Sequence, residues 1–130
     1  MFVGQQYGRA EEAMRLYVSL FEQSRIVDIE RFDEGEAEPK VKRARFVLAG
    51  TEYVAMDSGG EHQFGFTPAI SLFVDCDGEE QLDGAFAKLS EGGSILMPLQ
   101  AYPFSPRFGW VQDRFGVSWQ LNLASGEGSA

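Results

Sequence analysis

The sequence predicts an α+β fold built from two successive βαβββ modules, with about eight strands and two helices in a curled sheet in which antiparallel pairing dominates. The order of one strand, one helix and three strands occurs twice along the chain. Tight glycine-containing turns join the last strands of each half. The helix starts and these glycines recur at an offset of about 66 residues, from Glu12 and Gly50 to Glu80 and Gly116. This repetition indicates a duplicated unit.

The first module is predicted to begin with a short strand at residues 1–3 and the turn "GQQYGR". A helix follows in "RAEEAMRLYVSLF", where acidic residues occupy the first turn. Alternation in "SRIVDIERF" predicts a strand, and "VKRARFVLAG" and "TEYVAMDS" predict a hairpin that turns at Gly50. The acidic stretch "DEGEAEPK" is a predicted loop. The helix has an apolar stripe at Ala10, Ala13, Met14, Tyr17, Leu20 and Phe21.

The second module is predicted to begin with the nearly continuous apolar strand "AISLFVDC", which is typical of a place inside a sheet. The helix "GEEQLDGAFAKLSEGG" follows and ends at Gly92 and Gly93. Three further strands are expected in "SILMPLQAYPF", "RFGWVQDR" and "VSWQLNL". The apolar stripe of this helix consists of Leu82, Ala85, Phe86 and Leu89.

The length of 130 residues suits one domain. We expect that domain at 1–125, with modules at about 1–60 and 67–124 and a flexible tail at 126–130.

Composition excludes several classes of partner. The net charge is −9, from 11 basic and 20 acidic side chains, so the surface repels nucleic acid and anionic lipid. No apolar run approaches the length that spans a bilayer. The single cysteine, Cys76, excludes an internal disulfide and is expected to be a small buried hydrophobic residue. We therefore expect a cytoplasmic protein with neither nucleic acid nor a membrane as partner.

The last predicted strand has an unusual polar side. In "VSWQLNL", Val117, Trp119 and the two leucines alternate with Ser118, Gln120 and Asn122. Uncharged polar residues of this kind are unusual both for the solvent surface of so acidic a chain and for a dry core. The polar side therefore raises the question of which ligand or neighbour it contacts.

Four segments resemble the PhnB-like group of the vicinal-oxygen-chelate superfamily, which includes glyoxalase and bleomycin-resistance proteins. They are "AEEAMRLYVSLF", "FTPAISLFVDC", "LSEGG" and "FGWVQDRFGVSWQL", and the similarity runs from about Arg9 to Leu123. Some members of this group are labelled 3-demethylubiquinone methyltransferases. The resemblance implies the glyoxalase/bleomycin-resistance fold, in which paired βαβββ modules curl into a cup, and it implies a homodimer.

The resemblance also implies where a metal would be held. In metal-dependent members of the superfamily, His or Glu side chains from four strands bind a divalent ion in the cup. The matching positions here are Gln120, Ala69 (or Ser71 if the register slips), Ala55 and a position within 1–3. Amides are poor ligands for such metals and alanine offers none, so we predict no metal and no cofactor.

The sequence gives little support for two kinds of catalytic site, a methyl-donor site and a histidine general base. Neither helix is opened by a G-x-G-x-x-G turn, which a methyl donor with an adenosine group would favour. His62 has the right chemistry for a general base, but it stands in the glycine-rich segment "GGEHQFGFTP" without an evident partner. Asp113 is expected to hold the turn before the last strand.

If the sheet curls, one side of several strands would line the cup. This suggests a metal-free protein that binds a small organic molecule through aromatic walls and directed hydrogen bonds. The alternatives are a lyase, an isomerase or another enzyme of this superfamily, and a dimeric scaffold whose polar groups satisfy one another. The residues expected to line the pocket are Tyr53, Ala55, Asp57, Ala69, Ser71, Phe73, Trp110 (or Gln112 near the rim), Ser118, Gln120 and Asn122.

Overall fold

The computed structural model describes residues 1–32, 40–59 and 64–124. Most of the predicted acidic loop, His62 and the predicted tail at 126–130 lie outside these ranges. The chain forms two compact units, Met1–Gly65 and Phe66–Ala130, each with one α-helix packed on one β-sheet.

The sheet of the first unit has three antiparallel strands in the order β1-β2-β3. Its elements are a 3₁₀ turn at Gly4–Gln6, α1 at Ala10–Leu20, β1 at Arg25–Arg31, β2 at Val41–Leu48 and β3 at Thr51–Ala55. Ala49 and Gly50 connect β2 to β3 with φ angles of 49° and 90°. Two successive positive φ angles are what a two-residue hairpin turn requires, so the predicted hairpin is confirmed.

The core of the first unit lies between α1 and its sheet. Burial of Ala10, Ala13, Met14 and Tyr17 confirms most of the predicted helical stripe. Every second residue of β2 from Ala44 onward is also buried, since Ala44, Phe46 and Leu48 are 6% exposed or less. Helix α1 therefore covers one side of the sheet and leaves the other side open.

The sheet of the second unit has four strands in the order β4-β7-β6-β5. Its elements are β4 at Ser71–Cys76, α2 at Glu79–Ser90, β5 at Ser94–Tyr102, β6 at Ser105–Gln112 and β7 at Ser118–Leu123. Strands β4 and β7 are parallel, and the other two pairs are antiparallel. The predicted α+β class is confirmed, and so is the predicted order of elements in this unit.

Helix α2 packs very closely on β6. The predicted stripe is fully buried, with Leu82, Ala85, Phe86 and Leu89 each 6% exposed or less. A Cβ atom added to Gly109 of β6 would come within 2.4 Å of Cε1 of Phe86. The glycine therefore allows the helix to approach the sheet at this point.

The number of strands differs from the expectation of about eight. The described residues form seven strands, and the expected first strand is reduced to a single parallel bridge between Phe2 and Asp57. In the second unit the corresponding parallel pair, β4 with β7, extends over six residue pairs. The first strand is short because the chain turns at Gly4–Gln6 and enters α1 soon afterwards.

Asp57 joins three segments of the first unit. It is 2% exposed, and its Oδ1 accepts the backbone N–H groups of Gly8 at 2.8 Å and Ala10 at 3.1 Å. Its Oδ2 accepts the N–H of Val41 at 2.9 Å. These bonds compensate for the desolvation of a buried carboxylate and connect the N-terminal turn, α1 and β2.

Asp113 holds the turn before the last strand of the second unit, as predicted. Its Oδ1 accepts the N–H groups of Phe115 and Val117 at 2.9 and 3.0 Å, across the turn between β6 and β7. Its Oδ2 accepts the indole N–H of Trp119 at 2.9 Å. The carboxylate therefore holds the turn and also orients a tryptophan in the core.

Neither helix within the described ranges combines the length and the apolar character that crossing a bilayer requires.

Candidate functional site

The two sides of β7 have different environments. Trp119 and Leu121 are 0% exposed, and Leu121 pairs with Gly109, the residue that contacts α2. By alternation, Ser118, Gln120 and Asn122 lie on the opposite side of the sheet. We call this side the polar–aromatic face. It consists of Ser71, Phe73, Asp75, Phe108, Trp110, Gln112, Ser118, Gln120 and Asn122.

The strand registers arrange these nine residues in three rows across β4, β7 and β6. Residues that are directly opposite in neighbouring strands have adjacent side chains, so each row is a line of contacts. The first row is Ser71, Ser118 and Gln112, the middle row is Phe73, Gln120 and Trp110, and the third row is Asp75, Asn122 and Phe108.

The first row is satisfied by its own hydrogen bonds. Ser118 is 2% exposed, and its Oγ shares a 2.5 Å hydrogen bond with Oγ of Ser71. The same Oγ accepts the indole N–H of Trp110 at 2.8 Å. Gln112 donates from Nε2 to the carbonyl oxygen of Gly116 at 3.0 Å. This row therefore holds Trp110 in position and offers little free hydrogen-bonding capacity.

The middle row differs because its central amide is free. Gln120 is half-buried, and within the part of the chain that the structure describes its side chain makes no hydrogen bond. Phe73, which is 57% exposed, flanks it on β4, and the half-buried Trp110 flanks it on β6. An amide that can both donate and accept thus lies between two aromatic side chains.

The third row has an oriented carboxylate at one end and an aromatic ring at the other. Asn122 donates from Nδ2 to Oδ1 of Asp75 at 2.9 Å, and its own Oδ1 accepts a hydrogen bond from the Ser105 hydroxyl. The ring of Phe108 lies 6.3 Å from that of Phe73, measured between centroids. Two further rings, those of Tyr102 and Phe104, contact Phe108 edge-on.

Six of the ten residues predicted to line a pocket belong to this face. They are Ser71, Phe73, Trp110, Ser118, Gln120 and Asn122, and Gln112, the alternative to Trp110 at the rim, belongs to the face as well. Ala69 is exposed and precedes β4, where its N–H donates to Oγ1 of Thr67. His62, weighed as a general base, lies outside the described residues.

The three candidates in the first unit are not on the open side of their own sheet. Tyr53 and Ala55 pair with Phe46 and Ala44, so they share the side that α1 covers. The ring of Tyr53 lies 5.7 Å from that of Phe46. Asp57 uses its carboxylate to bind three backbone N–H groups, so it is a structural residue of this unit.

Two members of the face, Asp75 and Phe108, were not among the predicted residues. Asp75 follows Ser71 and Phe73 at a spacing of two on β4, and Phe108 precedes Trp110 at the same spacing on β6. Strict alternation would therefore have found both residues. For "AISLFVDC" the sequence predicted a strand inside the sheet, and only Ala69, Ser71 and Phe73 of this segment were expected to line the pocket.

The thiol beside Asp75 is not a candidate nucleophile. Cys76 is 1% exposed on the helix side of β4. Burial, followed by the charges of Asp75 and Asp77, raises the pKa of this thiol to about 11. Cys76 is therefore protonated at neutral pH and behaves as a small hydrophobic side chain, as predicted.

The donor set of the face does not fit the divalent metal that the resemblance implies. Among residues 1–32, 40–59 and 64–124, no three His, Cys, Asp or Glu side chains gather into a group that could hold a metal ion. The centre of the face offers an amide, hydroxyls and aromatic rings, which are poor ligands for Zn, Mn, Fe or Ni.

The helix N-termini do not fit the anionic group of a methyl donor either. Asp57 already accepts the N–H groups of Gly8 and Ala10 at the start of α1. Glu79 and Glu80 occupy the first turn of α2, and Asp77 lies just before it. A carboxylate would be repelled from α2 and would find the donors of α1 occupied.

Comparison with known proteins gives a family match over nearly the whole chain. The model of the family described as 3-demethylubiquinone-9 3-methyltransferase matches residues 1–122. The Escherichia coli protein YjdN is 33% identical over 86 residues, which are 64% of this chain and 56% of that protein. The chain thus spans little more than half the length of this relative.

Solved structures with a similar fold are also found. A Bacillus cereus PhnB protein with the same family description is 54% identical, with a TM-score of 0.85 over 91% of this chain and 93% of its own. FosX from Listeria monocytogenes is 12% identical, with a TM-score of 0.60 over 96% and 89% of the two chains. That structure is a fosfomycin resistance protein complexed with Mn(II) and dihydroxypropylphosphonic acid. At this identity the similarity concerns the fold alone, and it confirms the expected fold class.

Proposed function

The chain belongs to the 3-demethylubiquinone-9 3-methyltransferase family, and we propose that it is a small-molecule binding protein whose ligand lies on the polar–aromatic face. The proposal includes binding without a metal or another cofactor. It also includes a homodimeric assembly in the cytoplasm. A single cysteine, Cys76, and an acidic surface are compatible with that reducing compartment.

The free amide of Gln120 is the observation that carries this proposal. A half-buried amide is usually hydrogen-bonded, and the other polar side chains of the face largely follow that rule. Gln120 stands at the centre of the middle row with both its donors and its acceptor available in the described part of the chain. A ligand that bonds to this amide would satisfy it.

The flanking rings support a flat ligand. Phe73 and Trp110 lie on either side of Gln120, and the hydrogen bond from Trp110 to Ser118 fixes the indole. Aromatic side chains bind flat rings by offset stacking or edge contacts. The family description names a methylation of a demethylubiquinone, whose ring is flat, so it is compatible with this choice of ligand. The helix N-termini described above do not support the methyl transfer itself.

Native mass spectrometry of protein purified without chelator tests the proposal. We expect a dimer mass that carries an organic molecule and no stoichiometric metal. The variant Gln120→Leu, which keeps a side chain of similar size and removes the amide, should carry roughly threefold to tenfold less of that molecule. Gln81→Leu on α2 is the matched control, because Gln81 is also half-buried but lies on the helix of this unit.

Two results would contradict the proposal. Stoichiometric Zn, Mn, Fe or Ni on the wild-type protein would indicate a metal-dependent enzyme of this fold instead of a metal-free binding protein. Equal loading of the Gln120 and Gln81 variants with the organic molecule would show that the molecule binds outside the polar–aromatic face.

A further inference from the structure

We propose that the ligand of the polar–aromatic face is a planar aromatic cation, with its ring beside Phe73 and Trp110 and its positive charge beside the carboxylate of Asp75. This inference depends on the proposed function, because it names the chemical class that the same face would select. It also assigns a role to Asp75, which is the one charged side chain among the nine residues of the face.

The carboxylate of Asp75 is oriented before any ligand arrives. Nδ2 of Asn122 donates to its Oδ1 at 2.9 Å, and the hydroxyl of Ser105, a residue only 5% exposed, donates to Oδ1 of Asn122. The side chain of Asp75 is exposed, and its Oδ2 has no hydrogen-bond partner in the described part of the chain. A fixed carboxylate with one open oxygen is suited to a positive charge or to a strong hydrogen-bond donor.

Aromatic rings border this carboxylate. Phe73 precedes Asp75 by two residues on the same side of β4, and Phe108 belongs to the same row as Asp75. The centroids of these two rings are 6.3 Å apart. Phe73 is 57% exposed, whereas Phe108 is 4% exposed, so Phe73 is the ring that a cation beside Asp75 would contact, with an added cation–π attraction.

No basic residue of the face neutralises Asp75. Arg107 is the nearest arginine on β6, but it lies on the helix side of the sheet. There its Nε donates to Oδ1 of Asp83 on α2 at 2.7 Å. The chain as a whole has a net charge of −9, which is of the same sign as Asp75. The field thus attracts a cation and repels a phosphonate or a carboxylate.

One ligand can reach both polar groups. Gln120 pairs with Phe73, and Asp75 is two residues further along β4, so the two polar residues are about 8 Å apart by strand geometry. A fused bicyclic ring with a hydrogen-bonding group at one end and a positive charge at the other bridges this separation. The ring would then lie over the middle row.

Three probes with one ring size and one amide group test this inference by isothermal titration calorimetry. They are 6-carbamoyl-1-methylquinolinium (a cation), quinoline-6-carboxamide (neutral) and 6-carbamoyl-2-naphthoate (an anion). We expect the dimer to bind the cation at least about tenfold more tightly than the neutral probe, and the anion most weakly. Asp75→Asn should remove the preference for the cation and leave the binding of the neutral probe within about twofold.

Asp77→Asn is the control, because Asp77 is also exposed and follows β4 but does not belong to the face. It should leave the cation preference unchanged, and circular dichroism should show that both variants are folded. Equal affinity for cation and neutral probe in the wild type, unaffected by Asp75→Asn, would overturn this inference and leave the proposed function standing. No binding of any probe, together with only polypeptide mass in the native spectrum, would overturn both.

Discussion

The open sides of the two sheets are chemically different, although the two units share one plan. In the first unit the open side carries ion pairs, such as Arg45 with Asp28 at 2.5 Å and with Glu52 at 3.8 Å. In the second unit the open side carries amides, hydroxyls and aromatic rings, with Asp75 as its one charged member. Exposed ion pairs satisfy one another and remain solvated, whereas the amide of Gln120 makes no hydrogen bond among residues 1–32, 40–59 and 64–124 and can bind a ligand. The two units thus share one plan but differ in the chemistry of their open sides.

Removal of the carboxylate of Asp57 should have the largest effect on stability. Asp57→Ala leaves three backbone N–H groups of the first unit without their acceptor. We expect the free energy of unfolding to fall by about 3 kcal/mol or more, measured by urea denaturation. The exposed Asp77→Ala should change it by less than about 0.5 kcal/mol. A wild-type unfolding curve for Asp57→Ala would show that this carboxylate does not hold the first unit together.

Two glycine substitutions test how tightly the helix of the second unit packs on its sheet. In Gly109→Ala the new Cβ would lie 2.4 Å from the ring of Phe86, so we expect a loss of about 1 to 3 kcal/mol. Gly84→Ala on α2 meets no atom within 4 Å and should gain about 0.5 to 1 kcal/mol from helix propensity. Thermal unfolding measures both, and a shift of the same sign in the two variants would contradict the packing described for Gly109.

The smallest effect is expected on the open side of the first unit. The hydrogen bond from Arg45 lowers the pKa of Asp28, and the positive charge of that arginine lowers it further. Desolvation of the carboxylate acts in the opposite direction but is outweighed. A lowered folded-state pKa gives stability that is present above the ordinary pKa of Asp and is lost as the pH falls through the folded value. Asp28→Asn should therefore have a slight effect at neutral pH, none at strongly acidic pH, and less in high salt.

That comparison calls for unfolding curves of the wild type and Asp28→Asn at several pH values. A large loss of stability at neutral pH, insensitive to salt, would mean that the ion pairs of the first unit are structural rather than solvated.

Local patterns were sufficient to predict most of the fold. The stripe from Leu82 to Leu89 follows helical spacing, and Gly50 supplies a positive φ angle that the hairpin needs, so each feature is decided by nearby residues. Alternation likewise predicted that Gln120 would lie opposite Trp119.

Contacts that depend on distant segments were not predictable in this way. The three donors to Asp57 are 16, 47 and 49 residues away, so no local pattern indicates that its carboxylate is occupied. The role of Asp75 depends on the parallel pairing of β4 with β7, which brings it beside Asn122 from 47 residues away. The side of the sheet to which Tyr53 belongs likewise follows from the position of α1.

The two indole N–H groups provide the most direct test of the central claim, because one lies on each side of the second unit's sheet. Trp110 donates to Ser118 on the polar–aromatic face, and Trp119 donates to Asp113 in the core. Titration of ¹⁵N-labelled protein with 6-carbamoyl-1-methylquinolinium should shift the Trp110 indole signal and the side-chain amide signal of Gln120. The Trp119 signal should remain in place. Shifts at Trp119 with none at Gln120 would contradict the claim that this face binds the ligand.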